Sequence, residues 1–299
     1  MKWFLRDCQR ILLYSGQTAV KVADPALWLS PAEMTRIYEN TSLFFVLASG
    51  RSGTNFLARL LDQDPSATVP HEPVPEDLVF CNLFRDDKTR MRRYLRYRRR
   101  RILRLVAGSR TYGEVTPPLG RCAGLLREFF PRCRLVHLVR DGRDVVRSIM
   151  SRGIYHRYRD FLPGFNPRPP KDHPLGAEWN QVPRFEKACW LWTDWNVRIR
   201  RRVRDVVTLE NLCSDYRYFH DRLTAPLGLE VGEEVWRRAV ERPENVTKKY
   251  TAPEWPAWSE DWIRNFQEIC GDLMRELGYG TEPEWQEMVR RAEATRAGS

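Results

Sequence analysis

A continuous apolar run followed by a turn of small residues constrains the fold of this chain more than any other feature. Residues from Leu43 to Leu47 are all large and apolar, which predicts a strand buried on both faces, as in a parallel sheet. The next six residues, ASGRSG, are small except for one arginine, and apolar residues then recur at helical spacing from Phe56 to Leu61. The sequence therefore predicts a strand, a tight turn and a helix, in that order.

The predicted turn is suited to holding an anion. The first backbone N–H groups of a helix have no partner within the helix, and small residues allow an anion to approach them. Arg51 adds a permanent charge, while Ser52, Thr54 and Asn55 add hydrogen-bond donors on either side of Gly53. A plain strand-to-helix connection is the alternative interpretation. The loop departs from that of the nucleotide triphosphatases, because no lysine follows Gly53.

A second unit of the same kind lies further along the chain. Residues 135–139 form another apolar run of strand length, which ends at Arg140. The following helix has Asp141 or Asp144 as its predicted cap, and it carries Ser148 eight residues after Arg140. Since the carboxyl ends of parallel strands meet at one edge of a sheet, the two turns together predict a nucleotide site.

These motifs resemble those of the sulfotransferases that use 3′-phosphoadenosine 5′-phosphosulfate (PAPS). Residues 51–57, RSGTNFL, resemble the loop for the 5′-phosphosulfate, especially in the carbohydrate and tyrosyl-protein branches, and residues 138–148 resemble the 3′-phosphate motif. Weaker matches at 207–212 and 258–279 extend the resemblance over residues 43–280. It implies an α/β fold of one domain, P-loop-like, with a central parallel sheet flanked by helices.

The resemblance also implies a role for each matching residue. The residues that it assigns to the 5′-phosphosulfate are Arg51, Ser52, Gly53, Thr54 and Asn55, with Phe56 against the adenine. It assigns the 3′-phosphate to Arg140 and Ser148. Glu72 occupies the place of the catalytic base, Arg51 is the main cation for the transferring group, and His71 is the competing base. Val115 is a departure, because some members carry a lysine in that segment. Lys248, Lys249 or another arginine is the alternative source of a second cation for the site.

The charge of the chain predicts anionic partners. Its 50 Lys and Arg residues against 39 Asp and Glu residues give a net charge of +11. Nine arginines lie within residues 90–104, which predicts a helix with a solvated face or a surface for acidic glycan, lipid head groups or nucleic acid. Nucleic acid is the weakest of these partners, because two tyrosines do not provide interleaved aromatic residues for base stacking.

We divide the chain into a helical extension at 1–40, a sulfotransferase domain at 41–280 and a polar C-terminal tail at 281–299. Ser30, followed by Pro31 and Glu33, predicts a helix start in the extension. Seven widely spaced cysteines predict reduced thiols. Neither a signal peptide nor a membrane-spanning stretch is recognisable in the sequence, so we expect a cytoplasmic protein. Peripheral contact with the inner face of the membrane is compatible with this expectation.

The sequence thus predicts a sulfotransferase that moves a sulfonate group from PAPS to an acceptor hydroxyl, with adenosine 3′,5′-bisphosphate (PAP) as product and no metal. A glycan or glycolipid is the leading acceptor, and a tyrosyl-protein or small-molecule hydroxyl is the alternative. Outside this class, the alternatives are a P-loop kinase or nucleotide hydrolase and a basic protein that binds nucleic acid or an anionic membrane.

Overall fold

Five parallel strands form the centre of the protein in the computed structural model, which describes residues 29–106, 110–156, 164–242 and 251–297. The strands are β1 (Ser42–Ala48), β2 (Ala67–Thr68), β3 (Thr111–Val115), β4 (Arg134–Val139) and β5 (Val206–Thr208). Their order across the sheet is β2-β3-β1-β4-β5, and each neighbouring pair is parallel. The predicted α/β fold with a central parallel sheet is confirmed.

Strand β1 occupies the middle of the sheet and is buried on both faces, as its apolar sequence predicts. Successive side chains of a strand point to opposite faces. Phe44 and Val46 accordingly belong to one hydrophobic cluster, while Phe45 and Leu47 belong to the cluster on the other face.

Helices cover both faces of the sheet. In the first half of the chain they are α1 (Pro31–Asn40), α2 (Thr54–Leu61), α3 (Asp77–Leu83), α4 (Lys88–Leu105), α5 (Ala123–Phe129) and α6 (Gly142–Met150). In the second half they are α7 (Arg184–Arg200), α8 (Leu209–Ser214), α9 (Tyr216–Phe219), α10 (Ala225–Leu227), α11 (Glu233–Glu241), α12 (Glu260–Glu276) and α13 (Pro283–Ala297). Short 3₁₀ turns are formed by Pro117–Cys122 and Trp255–Ala257, and a π-helical turn by His220–Thr224. Among these described helices, none has the length and apolar character needed to cross a membrane.

Helix α1 begins as the sequence predicts. The Ser30 hydroxyl accepts a hydrogen bond from the Glu33 amide at 3.2 Å, and the Glu33 carboxylate accepts one from the Ser30 amide at 2.8 Å. This reciprocal pair is a capping box, with Pro31 at the first helical position. The rest of the predicted N-terminal extension, residues 1–28, lies outside the described residues.

The C-terminal stretch differs from the polar tail that the sequence suggests. Residues Pro283–Ala297 form helix α13, which packs against α12. Trp285, Val289 and Ala292 recur at helical spacing, and all three are buried in the same hydrophobic cluster as Phe45. These three residues, with the partly buried Met288 beside them, fix this otherwise charged helix on the domain.

The arginine-rich stretch forms a helix with a solvated face, and one of its arginines is buried on the other side. The Arg98 side chain of α4 is 0% exposed and donates to both oxygens of Asp77 at 2.9 Å and to Glu114 at 2.7 Å. Tyr112 donates its hydroxyl to the other Glu114 oxygen at 3.0 Å. Because buried charges are retained only when they are paired and hydrogen-bonded, this network fixes α4 against α3 and β3.

Candidate functional site

The first predicted turn connects β1 to α2 with its helix start left open. Gly53 is the N-cap residue of α2 and has a left-handed backbone, φ 77°. Because glycine has no side chain, no side chain caps the helix. A Cβ at Gly53 would lie 2.7 Å from the Leu209 side chain, while a Cβ at Gly50 would meet nothing within 4 Å. The turn is therefore closed on the side of β5 and open beside Gly50, where an anion can approach the helix start.

Buried hydroxyl groups hold the inner side of this turn. Ser52 is 0% exposed, and its Oγ lies 2.8 Å from Oγ of Ser49, which is also buried. The pair fixes the backbone between strand and helix. Preorganised N–H groups bind an anion better than mobile ones, because they need no reorganisation when the anion arrives.

The second predicted turn connects β4 to α6. Asp141 is the N-cap residue, and its carboxylate accepts from the Arg143 amide at 2.8 Å, so Asp141 rather than Asp144 caps the helix. Asp144 instead accepts from Arg140 at 2.8 Å. Ser148 is 1% exposed, one and a half turns into the helix.

The two turns touch each other. The Arg51 side chain donates from Nε to Ser148 Oγ at 2.9 Å, and the Arg140 side chain donates from Nη1 to the Arg51 carbonyl oxygen at 3.3 Å. The residues predicted for the two ends of a nucleotide thus lie side by side at one edge of the sheet. This is the arrangement that a single ligand with two anionic groups requires.

His71 and Glu72 lie at the end of β3, beside the first turn. His71 forms a parallel bridge with Val115, and the Glu72 amide donates to the Val115 carbonyl oxygen at 3.3 Å. Nε2 of His71 lies 2.9 Å from Thr54 Oγ1, and Nδ1 lies 3.5 Å from Asn55 Nδ2. The segment after β2 therefore returns to the edge of the sheet that carries the first turn.

Left-handed backbone is concentrated at this edge. Within the described residues, the non-glycine residues with positive φ are Arg51 (77°), Glu72 (43°) and Tyr155 (55°). Such conformations cost about 1–3 kcal/mol each and cluster at functional sites. Two of the three are the arginine and the glutamate that the sequence analysis selects as catalytic.

Phe56 and Val115 complete the predicted set. Phe56 is partly buried and packs against the hydrophobic cluster of Phe44. Val115, which stands where some sulfotransferases have a lysine, is fully buried in the same cluster. Lys248 and Lys249, the other cations considered for the site, lie outside the described residues.

Two side chains that the sequence analysis did not assign to the site hold the second turn. Glu210 accepts from the Asp141 amide at 3.0 Å and from the Tyr279 hydroxyl at 2.6 Å. Burial and the Glu210 charge raise the pKa of Tyr279, so the phenol stays protonated and donates. The sequence signals for these two residues are the position of Glu210 directly after the β5 run and the weaker family matches at 207–212 and 258–279.

Arg143 joins the second turn to the C-terminal region. It donates to Asp141 and to Glu282, both at 2.6 Å, and its guanidinium lies over the rings of Trp255 and Trp285. Burial opposes the charge of Arg143, but the two carboxylates outweigh it and raise the arginine pKa. Arg143 therefore stabilises the fold through these contacts. Arg140 is the arginine of the second turn that contacts Arg51.

Comparisons with known proteins give the fold. No protein-family model matches the sequence, and no curated protein matches it. Among solved structures, sulfotransferase STF9 from Mycobacterium avium is 15% identical with a TM-score of 0.51, over 88% of this chain and 81% of that chain. A sulfotransferase from Alicyclobacillus acidocaldarius is 16% identical with a TM-score of 0.46, over 81% of this chain and 98% of that chain. Mouse sulfotransferase SULT7A1, solved in complex with PAP, is 15% identical with a TM-score of 0.45, over 87% and 93%. The chain has the sulfotransferase fold.

Proposed function

We propose that this chain, which has the sulfotransferase fold, transfers a sulfonate group from PAPS to a hydroxyl group of an acceptor. The observation that carries the proposal is the 2.9 Å hydrogen bond from Arg51 Nε to Ser148 Oγ. It joins the two turns whose sequences resemble the 5′-phosphosulfate and 3′-phosphate motifs. A protein that used only one of these turns would not need the other beside it.

The residues present suit the binding of PAPS. The open start of α2, with Gly53 as an uncapped N-cap residue, offers backbone N–H groups to the 5′-phosphosulfate. Arg51, Thr54 and Asn55 add a charge and polar side chains around it, and Ser52, whose hydroxyl is buried against Ser49, contributes through the backbone that this contact fixes. We assign Arg140 and Ser148 to the 3′-phosphate and an edge of Phe56 to the adenine.

PAPS supplies the sulfonate group, and the chain's own residues move a proton and stabilise charge. Glu72 accepts the proton of the acceptor hydroxyl, which makes the oxygen a better nucleophile. The acceptor oxygen attacks sulfur as the bond from sulfur to the bridging 5′-phosphate oxygen breaks, and PAP leaves. Arg51 and the N–H groups at the start of α2 stabilise the negative charge that develops on that bridging oxygen. The left-handed backbone of Glu72 supports this role, because strain of this kind is retained where function requires it.

His71 is the competing base, and its contacts favour a positioning role. One ring nitrogen lies 2.9 Å from Thr54 Oγ1 and the other 3.5 Å from the Asn55 amide. Both partners belong to the first turn of α2. With both ring nitrogens in contact with these side chains, His71 orients Thr54 and Asn55 toward PAPS. Neither nitrogen is then available to take a proton from the acceptor hydroxyl.

A glycan or glycolipid is the acceptor that we propose. Arg51 and Glu72 follow the pattern of the carbohydrate branch, and the basic charge of the chain suits an acidic acceptor. The tyrosyl-protein branch shares both residues, so a tyrosyl hydroxyl is the second candidate.

The test is incubation with ³⁵S-labelled PAPS and separate pools of glycan, glycolipid, peptide and phenol acceptors. We expect label in an acceptor pool, its loss in Arg51→Gln, and its retention in Arg59→Gln, which changes an exposed arginine on helix α2, directly after the turn that contains Arg51. Wild-type protein that neither binds PAP nor labels any pool would overturn the proposal. Hydrolysis of ATP with Mg²⁺ in place of sulfonate transfer would favour the nucleotide-hydrolase alternative.

A further inference from the structure

The nine arginines within residues 90–104 divide into two sets on helix α4. Arg92, Arg98, Arg99 and Arg101 are buried or partly buried, whereas the other five are exposed. The exposed set is Arg90, Arg93, Arg96, Arg100 and Arg104. A sequence pattern with arginine at more than half of its positions cannot separate these sets, but the packing of α4 does.

The inward arginines have partners within the domain. Arg98 is bound by Asp77 and Glu114, Arg92 pairs with Glu128 at 2.8 Å, and Arg101 pairs with Glu76 at 3.0 Å. The Arg99 guanidinium lies over the Tyr38 ring. These four carboxylates form their ion pairs with the arginines that pack against the domain.

The exposed arginines form one row. At 100° per residue, the five positions fall within about 120° of the helix circumference, and at 1.5 Å per residue they extend over about 21 Å. Helix α4 itself contains no acidic residue, and Arg90, in its first turn, lies 3.4 Å from the carboxylate of Asp87. In the described part of the chain, Arg93, Arg96 and Arg100 form no ion pair or hydrogen bond.

We propose that this arginine row is a docking surface for an anionic phospholipid membrane. A guanidinium binds phosphate through two parallel N–H donors, so a row of arginines matches a layer of phosphate head groups. Leu105, the last residue of α4, is 49% exposed but lies about 100° around the helix axis from Arg104, outside the row. The row itself therefore presents cations alone to an anionic surface.

The aromatic residues of α4 argue against the competing partners. Tyr94 is buried and Tyr97 is half-buried against it, so neither offers a free ring on the row for stacking with a base or a sugar. The surface thus provides charge without free aromatic rings, which suits a layer of lipid phosphate groups and is less than single-stranded nucleic acid prefers.

The test is co-sedimentation of the full chain with vesicles, which requires neither PAPS nor an acceptor. We expect binding to vesicles of phosphatidylcholine with phosphatidylglycerol and none to phosphatidylcholine alone. Raising the salt concentration from about 0.1 M to about 1 M shortens the screening length from about 10 Å to about 3 Å and should release the protein. The triple variant Arg93→Gln, Arg96→Gln, Arg100→Gln should bind on the order of 100-fold more weakly.

The matched control is the triple variant Arg217→Gln, Arg222→Gln, Arg237→Gln. It removes the same charge from exposed positions on helices that pack against the opposite face of the sheet. Equal weakening by both triple variants would show that net charge, not the row, binds the vesicles and would overturn the proposal. Unchanged binding by the first variant, or preferential competition by single-stranded DNA at equal phosphate concentration, would also overturn it. Because this assay is independent of sulfonate transfer, either proposal can fail without the other.

Discussion

The Arg51 guanidinium donates to the Ser148 hydroxyl across 97 residues of sequence, and the Arg140 side chain donates to the Arg51 carbonyl oxygen. Arg51 is therefore shared between the two turns of the site. Its backbone belongs to the first turn and its side chain reaches the second. Because both turns share Arg51, a ligand that binds at one turn should change its affinity for the residues of the other turn.

A double-mutant cycle on PAP affinity tests this coupling. Arg51→Gln and Ser148→Ala should each weaken binding, and the double variant should lose less than the sum, since each single change already breaks the shared contact. For residues in contact the expected interaction free energy is about 0.5–3 kcal/mol. Isothermal titration calorimetry with PAP provides all four values. Additivity within about 0.5 kcal/mol would mean that the two side chains act independently.

Glu72→Gln tests the proposed base. The amide keeps the shape of the side chain but cannot accept the proton, so kcat should fall by about 10²- to 10⁴-fold. PAP affinity should stay within a few-fold of wild type, because Glu72 contacts the sheet through its backbone amide. Turnover of labelled PAPS and calorimetry with PAP separate the two effects, and an unchanged kcat would remove Glu72 from the mechanism.

His71→Phe distinguishes a positioning residue from a base. The change removes the ring contacts to Thr54 and Asn55, and two ordinary hydrogen bonds at about 1 kcal/mol each correspond to a rise in the KM for PAPS of about 10-fold or more. We expect kcat to change by only a few-fold and His71→Gln, which can hydrogen-bond, to restore part of the affinity. A collapse of kcat with an unchanged KM would instead identify His71 as the base.

The strand and turn of the site could be predicted because their signals are local. Residues 43–53 contain an apolar run and a small-residue turn, and both follow from short-range rules about burial and helix starts. His71 lies at the same edge because β2 and β3 run parallel to β1, so the segment after β2 ends beside the first turn. The two strand–turn–helix motifs already predict a parallel sheet. Glu210 and Tyr279 were missed because their contact with the second turn joins segments that are distant in sequence.

In the arginine-rich helix α4, the sequence does not predict which arginines are buried. Arg98 and Arg100 are two positions apart and chemically identical, yet one is fully buried and the other is exposed. The distinction comes from Asp77 and Glu114, which reach Arg98 from α3 and β3. Trp285 likewise lies in the stretch predicted as a polar tail, because the few apolar residues there give only a weak helical pattern among the charged ones.

The same pair of arginines gives a stability prediction with a built-in control. Arg98→Met leaves two buried carboxylates without their cation and should lower the free energy of unfolding by about 3–5 kcal/mol. Arg100→Met should change it by no more than about 0.5 kcal/mol, since the residue is on the surface. Urea unfolding measures both. Equal effects of the two substitutions would contradict the buried network.

The pH dependence of stability should report on His137 in β4, the strand that leads to Arg140. His137 is fully buried beside Asn196, and burial lowers its pKa to about 4 from the ordinary value of 6.5. The fold thus favours the neutral ring, so the stabilisation is complete above pH 6.5 and is lost as the pH falls toward 4. Relative to His137→Gln, which cannot titrate, wild-type stability should fall by about 2 kcal/mol between about pH 7.5 and about pH 5. The measurement is urea unfolding of both proteins at each pH, because their difference cancels the groups that titrate in both. Parallel pH profiles for the two proteins would mean that His137 titrates in the folded state as it does in the unfolded chain.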